Sequence, residues 1–177
     1  MVVIELGCGN SKTPGAIGVD FNPKTQADII HDLDEFPYPF ADNYADRIIC
    51  KDVLEHVEHF VKVIEEIWRI SKPGCEVEIS GPFMSSVNYF SDPTHRRSFT
   101  SRSFDYFIRD SEARRYSYSP VEFELVSVEY DPEQVKVRHG FHRWMLRWAN
   151  QNKEKYENRY AFIYPVYQVH FRLKVSK

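Results

Sequence analysis

Val2-Val-Ile-Glu-Leu-Gly-Cys-Gly-Asn10 is a short apolar run that breaks at two alternating glycines. A run this short, apolar at nearly every residue, is the pattern of a strand buried in a parallel sheet. Glycines placed directly after it let the backbone turn tightly and approach a ligand with its amide groups outward. A simple strand-exit turn would use the same residues, so the pair alone specifies no ligand. Further short runs follow at Ala16-Ile-Gly-Val-Asp20, Ala27-Asp-Ile-Ile-His31 and Asp46-Arg-Ile-Ile-Cys50. Val57 to Ile70 reads as an amphipathic helix, with Val57, Phe60, Val61, Ile64, Ile67 and Trp68 at three–four spacing. Lys72-Pro73-Gly74 is expected to end it. Glu76-Val-Glu-Ile-Ser80 alternates as a strand with one exposed face. Short strands, a helix, and glycines or acids at the strand ends predict an open α/β sheet, whose ligands bind beyond the carboxyl ends of the strands.

The later half predicts a short helix at 101–109, a strand at 122–130, a helix from Phe141 to Tyr160 and a final strand within Tyr164 to Val175. The two late strands are expected to form an antiparallel hairpin closing an otherwise parallel sheet. Asp131–His139 reads as a flexible insertion between Tyr130 and Gly140. No repeat or low-complexity tract divides residues 1–177, which are read as one domain.

Composition narrows the classes. Of 177 residues, 42% are hydrophobic and 28% charged, which excludes a disordered, collagenous or coiled-coil chain. No apolar run approaches the ~20 residues that span a bilayer. Met1 leads directly into the first strand, so no signal or transit peptide is expected. Cys8, Cys50 and Cys75 are odd in number and form no CxxC pair, pointing to a reduced, cytoplasmic protein without disulfides. Residues 1–90 carry 7 basic and 15 acidic side chains, while residues 91–177 carry 16 and 11. The first half is thus net acidic and the second net basic, as if one half handled a cationic ligand and the other an anionic one, although an uneven solvated surface would look the same. Arg143-Trp-Met-Leu-Arg-Trp148 mixes basic and aromatic residues. A pI near 6.2 and the lack of a dense basic run make nucleic acid an unlikely partner, and this helix reads better as a lid or dimer surface.

Asp20 ends the second run, where a carboxylate offers charged, bidentate acceptance to a ribose diol. Asp32 follows the third run and is placed to accept from an adenine amine while the Leu33 backbone reads the ring edge. Turn or cap roles account for either aspartate singly; the ordered set points to an adenosine-containing ligand. That set, Glu5-Leu-Gly-Cys-Gly9, Gly18-Val-Asp20, Asp32, Asp46-Arg-Ile-Ile-Cys50, Val53-Leu-Glu-His-Val57 and Ile70-Ser-Lys-Pro-Gly-Cys75, resembles the class I S-adenosylmethionine-dependent methyltransferases. With Ser91-Asp-Pro-Thr-His-Arg-Arg97 the chain looks like a small prokaryotic branch of the methyltransferase type 11 kind. The resemblance follows residues 1–82, nearly half the chain.

The resemblance implies a Rossmann-like, mostly parallel sheet with helices on both faces. Residues 1–82 would be the cofactor-binding half and 83–177 the substrate and lid half. S-adenosylmethionine would lie over Gly7, Cys8 and Gly9, with Glu5 positioning its ammonium group. Asp20 would take the ribose, Phe21 would pack on the adenine, and Asp32 with Leu33 would read its edge. The Cys50 carbonyl would accept from the methionine ammonium, with Lys51 beside it. Two departures stand out. The third glycine of the family loop is absent, and the span from Gly9 to Gly18 is too short for a full crossover helix. No helical lid precedes the first strand, so later segments or a homodimer partner would have to cover the cofactor.

Methyl transfer displaces a sulfonium carbon in line, so the protein mainly aligns the acceptor and excludes water. A base is needed only for a hydroxyl or a protonated amine. Residues 83–97 follow the fifth strand on the ligand side. There Asp92 or His95 is placed to act as base, Tyr89 to line the acceptor, and Arg96 or Arg97 to clamp a carboxylate or phosphate. His56 and His59 are three apart, but with no further ligand cluster in sequence reach they read as surface or cofactor-edge residues and no metal is expected. The expected activity is methylation of a small or medium-sized acceptor, anionic ones included. The rivals are a non-catalytic binding module on the same fold and, less favoured for want of GxGxxG, a nicotinamide-dependent oxidoreductase.

Overall fold

A computed structural model describes all 177 residues. Seven strands form one sheet: β1 (Val3–Leu6), β2 (Ile17–Asp20), β3 (Ile29–Ile30), β4 (Ala45–Lys51), β5 (Ser71–Pro82), β6 (Glu122–Tyr130) and β7 (Gln168–Ser176). Their order across the sheet is β3-β2-β1-β4-β5-β7-β6. β1 to β5 pair in parallel, and β7 lies antiparallel between β5 and β6. The expected mostly parallel sheet with an antiparallel closing pair is therefore present.

Register explains the two faces. Ile4, Ile48, Val77 and Leu173 are successive partners across four strands, and none is more than 1% exposed. One residue on, Glu5, Ile49, Glu78 and Arg172 are partners on the opposite face. The apolar face is covered by α1 (Phe60–Ile70), which buries Val63, Ile64, Ile67 and Ile70 in the same core. Each such side chain contributes about 1.5–3 kcal/mol by leaving water. Further helices are α2 (Val87–Ser91), α3 (Pro132–Val137), α4 (Gly140–Gln151) and α5 (Lys153–Arg159). α4 and α5 bury Leu146, Ala149 and Tyr156 in that core, where Tyr156 packs with Phe83 and Tyr130 at the far end of the sheet.

The first crossover is a loop, as its length required; so are the second and third, and among the connections between parallel strands only β4–β5 carries a long helix. Lys72-Pro73-Gly74 does not end α1. The helix stops at Ile70, where Ser71 caps it through its backbone N–H and its hydroxyl to the Ile67 carbonyl. β5 begins at once, and Pro73 with left-handed Gly74 (φ +78°) forms a bulge, so that Ala45 pairs with Ser71 but Arg47 with Glu76. A missing donor and a positive φ interrupt a ladder as readily as they end a helix. The expected helix at 101–109 shrinks to a 3-10 turn at Asp105–Phe107. Asn152 splits the long late helix in two, its side chain and backbone both donating to the Trp148 carbonyl. Asp131–His139 holds α3 and is pinned at its start, where the Asp131 carboxylate accepts from the Tyr167 and Gln168 backbones at 2.8 and 2.7 Å. All three cysteines are free and buried.

Candidate functional site

In this strand order the connections from β1 and from β4 lead to opposite sides, and ligands of open sheets bind in the crevice at that switch point. Gly7 leaves β1 there with φ +66°, its N–H on the Val19 carbonyl at 2.8 Å. A Cβ on Gly7 would stand 2.2 Å from Val53 Cγ2, so the loop is pressed against the turn that follows β4. Gly9 is also left-handed, but a Cβ there would meet nothing within 4 Å. The loop therefore packs on one side and opens on the other.

Asp20, 8% exposed at the tip of β2, accepts from Gly9 N at Oδ2 and from Asn22 N at Oδ1, both at 2.9 Å. Two backbone donors fix the carboxylate, and each oxygen keeps a second acceptor direction for a diol. Phe21 beside it is 73% exposed, its ring free to lie against a flat ligand. Asp32 is exposed, with Oδ1 accepting from Asp34 N at 2.9 Å, and Leu33 is buried. Cys8 is buried against Gly18, and burial, then the charges of Asp20 and Glu5, push its thiol pKa up. It is a packing residue, not a nucleophile.

Two expected roles shift. Glu5, 3% exposed, spends its carboxylate on the Thr13 N–H, with Lys51 Nζ 4.0 Å away, and so anchors the loop that replaces the first crossover helix. Cys50 lies within the ladder between Leu6 and Ile79, and β4 runs on to Lys51, which pairs only with Ser80 of β5. The strand tip beyond the end of β1 is therefore Lys51.

On the other side of the crevice a cavity of about 320 Å³ is lined by Asp52, Glu55, His56, Asn88, Asp92 and His95, among others. His95 stacks on Tyr89 at 6.1 Å and meets His56 edge-on at 4.7 Å. Its Nδ1 lies 3.1 Å from the Tyr89 carbonyl, and its Nε2 3.9 Å from both Glu55 Oε1 and Asp92 Oδ2. Glu55 is 1% exposed; burial foremost, then Asp52 and Asp92, raise its pKa to about 8. His56 is lowered by burial and by His95. His59 is not part of this group and pairs with Asp34 at 3.3 Å.

The two arginines differ. Arg96 is exposed and pairs with Glu58 at 3.3 Å. Arg97 donates to the Leu54, Val57 and Glu58 carbonyls and lies over the Phe60 ring, so its donors hold the 54–58 turn rather than an acceptor. Sequence spacing showed the Glu55-His56 pair but not its partner His95, which the fold brings from 39 residues away. A larger depression, about 1030 Å³, lies over the polar sheet face between β5–β7 and α4. It includes neither the glycine loop nor Asp20.

Residues 4–79 match the model of the methyltransferase domain family. Nothing among curated proteins matches the chain. Among solved structures, the chain is similar to an S-adenosylmethionine-dependent methyltransferase from Archaeoglobus fulgidus (19% identity, TM-score 0.58, covering 97% of this chain and 85% of that one). It is also similar to phosphoethanolamine N-methyltransferase 2 of Haemonchus contortus, solved with S-adenosyl-L-methionine (15%, TM-score 0.60, 99% and 48%). The (4+2)-cyclase SpnF shares the fold as well (14%, TM-score 0.58, 98% and 75%). The domain match over residues 4–79 and the architecture shared over the whole length give the chain the fold of the S-adenosylmethionine-dependent methyltransferases.

Proposed function

We propose that the protein binds S-adenosylmethionine at the β1–β4 crevice and transfers its methyl group to a small or medium-sized acceptor in the adjoining cavity. The observation that carries this reading is the Asp20 carboxylate at the tip of β2, held by the N–H groups of Gly9 and Asn22. Gly7 and Gly9 provide the close backbone floor for the methionine part. Asp20 takes the ribose hydroxyls, Phe21 the adenine face, and Asp32 with the Leu33 backbone the adenine edge. The Lys51 tip of β4 borders the ammonium position. When bound, the cofactor supplies an activated methyl group on a sulfonium, so the chain's own residues need only align the acceptor, exclude water and take up a proton where the acceptor carries one.

His95 is the residue for that proton. Its Nδ1 faces a carbonyl, which accepts only, so Nδ1 carries a hydrogen, and in the neutral imidazole Nε2 is the atom with the lone pair, beside Asp92 and Glu55. Tyr89 lines the acceptor, and exposed Arg96 is the cation for an anionic one. The lid or dimer surface belongs to α4, where Phe141 and Trp144 stand 64% and 59% exposed. Calorimetry with S-adenosylmethionine tests the reading. Asp20→Ala should weaken binding by about 1–3 kcal/mol, the usual effect of removing a charged hydrogen-bond acceptor. His95→Ala should leave cofactor affinity in place and lower transfer in an acceptor screen. Unchanged affinity in folded Asp20→Ala overturns the ribose assignment, and no binding by the wild type overturns the function.

A further inference from the structure

Glu55, His56 and His95 each offer one ligand-type atom, and these atoms all lie within 4.8 Å of one another. Hydrogen bonding fixes which imidazole atoms are free. His95 carries its hydrogen on Nδ1, toward the Tyr89 carbonyl at 3.1 Å. Thr94 Oγ1 sits 2.6 Å from Asp92 Oδ1, a carboxylate held ionised by the Thr94 hydroxyl and backbone N–H, so its own hydrogen goes there. It must then accept from His56 Nδ1 at 2.9 Å, which leaves Nε2 of His56 as a lone pair too. A carbonyl behind one histidine and a hydroxyl–carboxylate relay behind the other are the outer contacts that orient metal-binding imidazoles.

The third donor is incomplete without a ligand. Glu55 is 1% exposed and its Oε2 has no hydrogen-bond partner, packed near Gly81 and Phe99. Ionised Glu55, buried with one oxygen unpartnered, would be costly, and a cation shared with two neutral imidazoles would remove that cost. Two imidazoles and one carboxylate suit zinc and its neighbours, not calcium or magnesium. Bonds of about 2.0–2.1 Å place tetrahedral ligand atoms roughly 3.4 Å apart, so the 3.9 Å between His95 Nε2 and Glu55 Oε1 closes with a small rotation. All three residues line the 320 Å³ cavity.

We propose that Glu55, His56 and His95 form a binding site for a divalent transition metal of the zinc class, with one open coordination position toward the cavity. The metal would hold an acceptor oxygen or nitrogen there and ease loss of its proton to solvent. In the loaded protein His95 is a ligand; in the metal-free protein its lone pair is the proton acceptor described above. Only the acceptor role of the metal rests on the methyltransferase reading; binding itself does not.

The test titrates the chelator-treated, dialysed protein with zinc by calorimetry and with cobalt(II) by visible absorption, both without S-adenosylmethionine. The wild type should bind one metal per chain, with the intense cobalt bands of a four- or five-coordinate site. H56N, H95N and E55Q should each weaken binding by more than the 10–100-fold typical of outer-contact losses. H59N should bind as the wild type does. Circular dichroism identifies any variant that fails to fold, and isosteric E55Q keeps the test available if a histidine variant does. No saturable zinc binding, equal binding by the three variants, or a weak octahedral cobalt spectrum overturns the site. Loss of S-adenosylmethionine binding with zinc binding intact would overturn the proposed function alone.

Discussion

Gly7 shows how much one residue carries. Its left-handed backbone costs a side-chain-bearing residue about 1–2 kcal/mol, and its missing side chain leaves room for Val53. Gly7→Ala should therefore destabilise the fold by more than the conformational cost alone. Adding Val53→Ala should recover only part of the steric loss, because the Val53 Cβ itself would stand 2.6 Å from the new methyl, and should leave the conformational part, both read from urea denaturation midpoints. A single variant as stable as the wild type would mean that the loop does not hold the β4 turn. Gly7 and Asp20 were legible in sequence because a strand end, a glycine pair and an acid recur in fixed order. Arg97 and Glu55 were not: an arginine spent on carbonyls and a buried carboxyl with one oxygen left unpartnered depend on what the chain folds against, and no local spacing records that.

At the scale of elements, α1 was readable because its apolar residues recur at helical spacing; it ends at Ile70 as expected but starts at Phe60 rather than Val57, and Lys72-Pro73-Gly74 was misread as its stop because Pro-Gly serves bulge and helix stop alike. Ile67, fully buried at the centre of that helix, should cost about 2–5 kcal/mol on truncation to alanine, measured by chemical denaturation. The same helix is tied to the 36–44 segment by charge. Burial opposes ionisation of Glu66, but two 2.7 Å contacts from Arg69 and one from the Tyr38 N–H outweigh it and hold its carboxyl below the usual range. A carboxyl depressed in the folded state contributes stability above its unfolded value of about 4.3, and that stability disappears as pH falls through the lower folded value. Glu66→Gln should flatten this acid limb of a stability-versus-pH profile while hardly changing its slope above pH 6. A profile identical to the wild type's would remove Glu66 from the account.

For the molecule as a whole, a ligand that binds only the folded chain stabilises all of it. S-adenosylhomocysteine at about 100 times its Kd adds about 2.7 kcal/mol, which for a chain of this size raises Tm by roughly 5–10 °C. A melting curve indifferent to the compound would contradict the proposed function. No helix is long and apolar enough to cross a membrane. The sheet's second face was the least foreseeable feature at this scale. The loop crossovers β1–β2 and β2–β3 put no helix on it and leave it to Glu78, Arg172 and their neighbours, and only the spacing of the first announced a missing helix. The position of β7 carries a temporal consequence. During synthesis both β5 and β6 leave the ribosome with a bare edge, and neither can be sealed until the strand that separates them emerges some 40 residues after β6. A nascent chain stalled within that interval offers two unpaired ribbons to any passing polypeptide, and so is the stage at which a chaperone has most to shield.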